Sequence, residues 1–175
     1  MERELKIREC RAEDRGAVEA LYPRAFPDED LLPVVRDLLD DPGHTVALVA
    51  VIDGKVVGNI IFTRCGVDDC KADVALLAPL AVEPAQQGKG VGSALVRSGL
   101  QRLDEEGIGA VYVLGDPAYY GRLGFAPERS VKAPYELPEE WTDAWQSLRL
   151  GHATAPAEGR LVVPPPWRDA ALWAP

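Results

Sequence analysis

The sequence predicts a mixed α/β (α+β) fold, in which about four helices flank a central mixed sheet of about six to seven strands. Two runs rich in Val and Ile surround Asp53-Gly54, a dipeptide that supplies the positive φ angles of a tight antiparallel hairpin. The run "DVALLAPLAVEP" (73–84) is nearly all apolar, as expected of a central strand covered on both faces. "GVGSALVRSGLQRLDEEG" (90–107) then has apolar residues at helical spacing. We expect one domain over residues 1–175.

The chain before the hairpin predicts a strand and two helices. "LKIREC" (5–10) alternates apolar and polar residues as a half-buried strand does, and "AEDRGAVEALYPRAF" (12–26) has helical spacing. "DEDLLPVVRDLLDDPG" (28–43) predicts a short second helix that begins with the acids Asp28, Glu29 and Asp30. Pro33 must lie in the first turn of that helix or kink it.

Pro79 lies inside the predicted central strand, the fourth of the chain. Because proline has no N–H for a sheet ladder, we expect this strand to bulge or splay at Pro79. After the long helix, for which Gly107 is a plausible C-cap, "AVYVLG" (110–115) predicts another buried strand. "DPAYYGRLGF" (116–125) predicts a short helix, since Asp-Pro is a favoured start.

The C-terminal part is richer in Pro and Glu. "WQSLRL" (145–150) and "GRLVVP" (159–164) have strand character, and the turn-rich "GHATAPAE" (151–158) separates them, so we expect a terminal hairpin. The tail segments "PPPW" (164–167) and "WAP" (173–175) lack periodicity and either pack as extended caps or are loose.

The charge of the chain limits its partners. The formal net charge is −9, from 28 acidic and 19 basic residues, so the overall field repels polyanions and anionic membranes. We therefore expect no nucleic-acid partner and no membrane. The charged N-terminus lacks the apolar core of a secretion signal, and no eighteen apolar residues occur in a row, so we expect a soluble cytoplasmic protein.

The cysteines predict neither disulfides nor a metal site. The chain has 3 cysteines, an odd number that fits a reducing compartment, where they would be buried or half-buried thiols. The two histidines, His44 and His152, lie far in sequence from Cys65 and Cys70. We expect no structural metal.

"QQGKGVGSAL" (86–95) places Gly88, Gly90 and Gly92 between a predicted strand and a predicted helix. The first amides of a helix have no partner within it, so this junction is suited to an anion, and glycine lets a phosphate approach the backbone closely. The dinucleotide fingerprint fails because Ser93 stands where it needs glycine, and no Walker sequence is present. What remains is Q-x-x-G-x-G from Gln87, or a tight turn whose glycines serve packing alone.

With these residues, "LAPLAVEPAQQGKGVGSALV" (77–96) resembles the GCN5-related N-acetyltransferase (GNAT) family, whose acetyl-CoA pyrophosphate motif is [QR]-x-x-G-x-[GA]. "GDPAYYGRLGF" (115–125) resembles the second landmark of the family, an aromatic-Tyr-x-x-x-Gly-Phe segment. The two segments together are similar to the YhbS-like subgroup of this family. The resemblance implies a GNAT fold that is splayed at the fourth strand, with acetyl-CoA as cosubstrate and no metal.

The resemblance also implies roles for individual residues. The pyrophosphate would be bound, mostly through main-chain N–H groups and with a screened charge from Lys89, by Gln87, Gly88, Lys89, Gly90, Val91, Gly92 and Ser93. The pantetheine arm would contact Leu80, Ala81 and Val82, and the Leu80 amide would receive the oxyanion.

Tyr120 stands at the position of the family's general acid, and Tyr119 at a packing position; without the resemblance, both tyrosines are equally typical of packing. Val113 stands where many members carry an Asn that contacts the pantetheine arm, so that contact is absent here or supplied elsewhere. The general base is either Glu83, which is also typical of a solvated surface, or water.

The resemblance implies an N-acetyltransferase that transfers an acetyl group to a primary amine of a small molecule or amino-acid derivative by direct attack. The alternatives are acetylation of protein Lys or N-termini and a non-catalytic acyl-CoA-binding module. The acceptor-side segments 22–45 and 126–155 carry no signature that decides between them, and the acids of 28–30 either line the acceptor cleft or interact with a helix dipole. By family analogy, a homodimer through the terminal hairpin is plausible.

Overall fold

The computed structural model describes residues 4–151 and 154–175. Within these ranges there are four α-helices, α1 (Arg15–Ala25), α2 (Leu32–Leu39), α3 (Val91–Glu105) and α4 (Pro117–Gly121). The strands are β1 (Leu5–Glu9), β2 (Thr45–Ile52), β3 (Lys55–Val67), β4 (Val74–Val82), β5 (Ala110–Leu114), β6 (Ala126–Pro127), β7 (Val131–Lys132), β8 (Trp145–Arg149) and β9 (Gly159–Val162).

The sheet is mixed, as predicted. Hydrogen-bonded strands follow the order β1-β2-β3-β4-β5-β8-β6, and β9 pairs with β3 and β7. β1 runs antiparallel to β2, whereas β4 runs parallel to β5. The fold class predicted from the sequence is therefore confirmed.

The chain divides into two compact units, one formed by Met1–Phe62 and Pro79–Gly99 and the other by Thr63–Ala78 and Leu100–Pro175. The expectation of a single domain over 1–175 stays a prediction.

The first unit packs its helices through apolar faces. In α1, Val18, Leu21 and Tyr22 are buried, as the helical spacing predicted. α3 lies very close to β3, because a Cβ at Gly99 would come within 2.0 Å of Phe62 Cε2. The hairpin between β2 and β3 turns at Asp53 and Gly54, with φ of 51° and 76°, so the predicted turn is confirmed.

The terminal hairpin predicted from the sequence does not form in the second unit. β8 (Trp145–Arg149) pairs with β5 and β6, and β9 (Gly159–Val162) pairs with β3 and β7. The two strands are therefore not partners. The connector from 150 to 158 is too long to impose a tight turn, so long-range pairing decides the neighbours. Residues 152 and 153 of that connector lie outside the described residues. They include His152, which the sequence analysis did not expect to bind a metal.

The tail is packed rather than loose. Short 3-10 helices cover Pro165–Trp167 and Ala170–Trp173, and both tryptophans are buried. The indole N–H of Trp167 donates to Thr63 Oγ1 at 3.0 Å, and that of Trp173 donates to the Trp167 carbonyl at 3.1 Å. The two rings are also in edge contact, at 6.0 Å between centroids. Buried indoles with satisfied N–H groups therefore hold the tail in place.

Candidate active site

The glycine-rich segment forms an exposed loop between β4 and α3. A 3-10 turn covers Pro84–Gln86, and Gln87 is extended. Gly88 and Gly90 then have φ of 75° and 86°, in the left-handed region. A side chain would be strained at both positions, so the backbone angle is the reason for glycine here.

The main-chain donors of this loop are unpaired. The first helical bond of α3 runs from the Ala94 N–H to the Gly90 carbonyl at 3.0 Å. In the part of the chain that the structure describes, the N–H groups of residues 88–93 donate to no protein acceptor. They lie at the N-terminus of a 15-residue helix, where the helix dipole adds positive potential. This arrangement suits an anion with several oxygens, such as a diphosphate.

Two side chains of the loop, Gln87 and Lys89, have different surroundings. Gln87 Nε2 donates to the Val82 carbonyl at 3.1 Å, so this side chain ties the loop back to the end of β4. Lys89 is exposed and forms no ion pair within the described ranges. The Gln87 side chain thus stabilises the loop by linking it to β4. Lys89 would act on a bound anion only as a solvent-screened charge.

The pairing and burial of β4 change near Pro79, where the sequence predicted a bulge or splay. Its ladder with β5 ends at Leu76, three residues before Pro79. From there burial alternates: Pro79 and Ala81 are buried, while Leu80 and Val82 are only half-buried. The strand is therefore open on the face that carries Leu80 and Val82, and the expected splay is confirmed.

Tyr120 lies on the short helix α4. Asp116 caps this helix by accepting from the Ala118 N–H at 2.9 Å, and Pro117 occupies its first turn, as the sequence predicted. The Tyr120 ring makes edge contacts with Tyr119 and Phe125, at 5.0 and 5.6 Å between centroids. Tyr119 therefore packs, as expected.

The Tyr120 phenol is held protonated. Burial, with a smaller contribution from Tyr119, raises the pKa of Tyr120 well above its ordinary value. Its hydroxyl has no hydrogen-bond partner among residues 4–151 and 154–175. A phenol in this state keeps its proton at neutral pH and can donate it.

Glu83 lies directly after β4 and is paired, a contact that the sequence analysis missed. Arg24 of α1 donates to both carboxylate oxygens, with Nη2 at 2.6 Å from Oε2 and Nε at 3.1 Å from each oxygen. No sequence pattern links positions 24 and 83, since the pair forms across distant segments. A carboxylate whose oxygens already accept these bonds is poorly available as a base.

The acids of 28–30 do not lie in the first turn of α2, because that helix begins at Leu32; this expectation is wrong. Pro33 does lie in the first turn, as one of the two expected alternatives. The carboxylates instead line a pocket of about 330 Å³ whose walls are Tyr22, Pro23, Phe26, Pro27, Asp28, Glu29, Asp30, Leu31 and Leu32. Within the described residues these three acids form no ion pair.

The cysteines are free and half-buried, as predicted. Burial raises the pKa of Cys10 to about 11 and that of Cys65 to about 12, so neither thiol is reactive at neutral pH. No cluster of three or more metal-ligating side chains occurs in the described part of the chain, and the absence of a structural metal stays a prediction. Likewise, none of the helices described is long and apolar enough to cross a membrane.

Comparison with known proteins agrees with this geometry. A family model described as "Acetyltransferase (GNAT) family" matches residues 10–125. YjhQ of Escherichia coli K12, named an uncharacterized N-acetyltransferase, is 35% identical over 167 residues, which cover 91% of this chain and 92% of YjhQ.

Two solved structures have the same fold. The GNAT protein YhbS of Escherichia coli, in complex with CoA, has a TM-score of 0.84 at 30% identity and covers 97% of this chain and 94% of its own. A GNAT acetyltransferase of Brucella melitensis, in complex with acetyl-CoA, has a TM-score of 0.75 at 27% identity and covers 94% and 98%. A chain with this family match and this share of identity to YjhQ belongs to the GNAT family of acetyltransferases.

Proposed function

We propose that the protein is an acetyl-CoA-dependent N-acetyltransferase that acts on a primary amine of a small molecule or amino-acid derivative. The single observation that carries the proposal is the set of six unpaired amides at residues 88–93, aimed by two glycines in the left-handed region. Relatives in complex with CoA or acetyl-CoA support a diphosphate as the anion.

In this proposal the amides of Gly88, Lys89, Gly90, Val91, Gly92 and Ser93 bind the pyrophosphate, and Gln87 supports them through Val82. Leu80, Ala81 and Val82 offer backbone groups to the pantetheine arm, and the Leu80 N–H is the oxyanion donor. The half-buried face of β4 at Leu80 supports this assignment. Bound acetyl-CoA would supply the acetyl thioester.

Tyr120 acts as the general acid. It holds its proton at Oη at neutral pH, as a phenol does, and gives that proton to the departing sulfur. The position of Tyr120 in the segment that matches the second landmark of the family, on the short helix α4, supports this role.

Water rather than Glu83 takes the proton of the amine. Arg24 donates to both oxygens of Glu83 and holds this side chain toward α1, which favours water as the acceptor of the proton.

The acceptor is a small cationic amine. The pocket of about 330 Å³ is within the range of small-molecule sites, and its aromatic walls with three unpaired carboxylates suit an ammonium group on an apolar stem. Acetylation of protein Lys or N-termini, or acyl-CoA binding without catalysis, remains an outcome of the test.

The test is release of CoA thiol across a panel of small amines, amino-acid amides and Lys-containing peptides. We expect turnover with small amines. Asp28→Asn and Glu29→Gln are expected to lower this turnover more than Asp53→Asn, because Asp53 does not line the pocket. If only the peptides were acetylated, the acceptor would be a protein Lys or N-terminus rather than a small amine. If the protein bound CoA but released no thiol above the hydrolysis background with any amine of the panel, it would be a binding module and not an enzyme.

A further inference from the structure

Gln146 is a buried amide at the beginning of β8 that none of the proposed steps uses. It is only 1% exposed and lies opposite Val113 of β5. Its Nε2 donates to the Gly115 carbonyl at 3.1 Å and to the Ala144 carbonyl at 3.3 Å. The Gly115 N–H also donates to the Ala144 carbonyl, at 2.9 Å. Gln146 therefore braces the backbone where β5 ends and the turn to α4 begins.

That turn carries Tyr120. A Cβ at Gly115 would lie 2.5 Å from Tyr120 Cε2, so the ring rests directly against the Gly115 backbone. The next residue, Asp116, caps α4 and accepts from the Tyr120 N–H at 3.0 Å. A shift of the backbone at Gly115 would therefore move both the support of the ring and the start of its helix.

Gln146 is not the residue that stability alone would favour. Its Oε1 is buried and has no hydrogen-bond donor in the described part of the chain. A buried acceptor without a donor destabilises the folded state and offsets part of what the two bonds from Nε2 contribute, so the amide is not a clear gain for stability. What the amide adds is the pair of bonds to the carbonyls of Gly115 and Ala144.

We infer that Gln146 is a positioning residue that fixes the turn at Gly115 and thereby the ring of Tyr120. The inference rests on the proposed function, in which Tyr120 is the acid. In this inference the Gln146 amide serves the reaction by placing the Tyr120 ring, and its contribution to folding is secondary.

The experiment compares Gln146→Met, a variant of similar size without the N–H donors, with the unmodified protein. We expect kcat to fall roughly tenfold to a hundredfold, since a small misplacement of a catalytic group has effects of this size. The affinity for CoA is expected to stay the same. The melting temperature is expected to change little, because the variant removes one unpaired acceptor, Gln146 Oε1, and leaves another, the Gly115 carbonyl. In a Tyr120→Phe background the same change is expected to cause no further fall in kcat.

Two further variants keep the test decisive. Gln146→Glu retains a donor when its buried carboxyl is protonated, so we expect it to lose less turnover than Gln146→Met and to lose more as pH rises. This pH dependence carries the test if Gln146→Met does not fold. Asn59→Leu removes another buried amide, and we expect its effect on kcat to be the same with and without Tyr120→Phe.

A readout without substrate separates this inference from the proposed function. In protein with ¹³C-labelled tyrosine rings, the Tyr120 signals are those lost in Tyr120→Phe, and we expect Gln146→Met to shift them. If no amine is acetylated by the unmodified protein, the proposed function fails while the ring signals still test the placement. Unmoved Tyr120 signals, or an equal loss of kcat in the Tyr120→Phe background, would overturn the inference.

Discussion

Gly90→Ala tests the proposed diphosphate loop through its backbone geometry. Gly90 has φ of 86°, and an L-residue in the left-handed region costs about 1–2 kcal/mol. A Cβ at this position would find no heavy atom within 4 Å, so contacts within the protein add nothing to that cost. In the folded state the strain of the backbone angle is therefore the whole expected effect, and it is read relative to a Gly→Ala control that shares the gain through the unfolded state.

The cost must be detected in one of two measurements. If the free loop keeps its conformation, the free energy of unfolding falls; if the free loop relaxes, the affinity for CoA falls, because binding requires the present direction of the amides. The sum of the two losses is expected to be about 1–2 kcal/mol, which corresponds to about 5- to 30-fold if all of it is in binding. Urea denaturation measures the first loss and calorimetric titration with CoA the second.

Gly43→Ala is the matched control. Gly43 lies in a turn, has a φ outside the left-handed region, and a Cβ there would also find open space. We expect this change to stabilise the protein by about 0.4–1 kcal/mol through the unfolded state, with no effect on CoA affinity. If the change in free energy for Gly90→Ala, summed over unfolding and CoA binding, were no less favourable than that for Gly43→Ala, the reasoning would be refuted. A larger loss confined to CoA affinity would mean that a phosphate lies against the Gly90 Cα.

Three further predictions concern the tyrosines. Tyr120→Phe is expected to lower kcat by about 10²- to 10⁴-fold without changing CoA affinity, measured by thiol release and calorimetry; unchanged turnover would remove the acid role. In the unmodified protein kcat is expected to show no loss from Tyr120 ionisation below about pH 10, because burial raises its pKa above that of a free phenol; a falling limb below that pH that vanishes in Tyr120→Phe would contradict this. Tyr22→Phe leaves Asn59 Oδ1, which now accepts from the Tyr22 hydroxyl at 2.6 Å, as an unpaired buried acceptor. We expect it to lower the free energy of unfolding by about 1–3 kcal/mol in urea titrations, and an unchanged midpoint would count against it.

Much of the fold was predictable because its signals are local. The hairpin turn at Asp53-Gly54, the helical spacing of Val18 and Leu21, and the cap at Asp116 each depend on a few neighbouring residues. The glycine-rich junction is local too, since positive φ at Gly88 and Gly90 is a property of the backbone at those positions.

The wrong terminal hairpin has one physical cause, which is pairing between distant segments. The strands β8 and β9 looked like the arms of one hairpin, but β8 joins β5 and β9 joins β3. The second failure is local: α2 begins at Leu32, with Pro33 in its first turn, so the acids of 28–30 precede the helix and line a pocket.

By itself, the sequence determined the order of most of the elements, the family resemblance and the backbone geometry of the glycine-rich loop, because strand alternation, helical spacing and glycine geometry act over a few residues. Only the tertiary structure decided that Arg24 engages Glu83, that Gln146 braces Gly115, and that the Tyr120 phenol is buried enough to have its pKa raised. These contacts depend on which distant backbone segments meet, and the packing of the whole fold sets that.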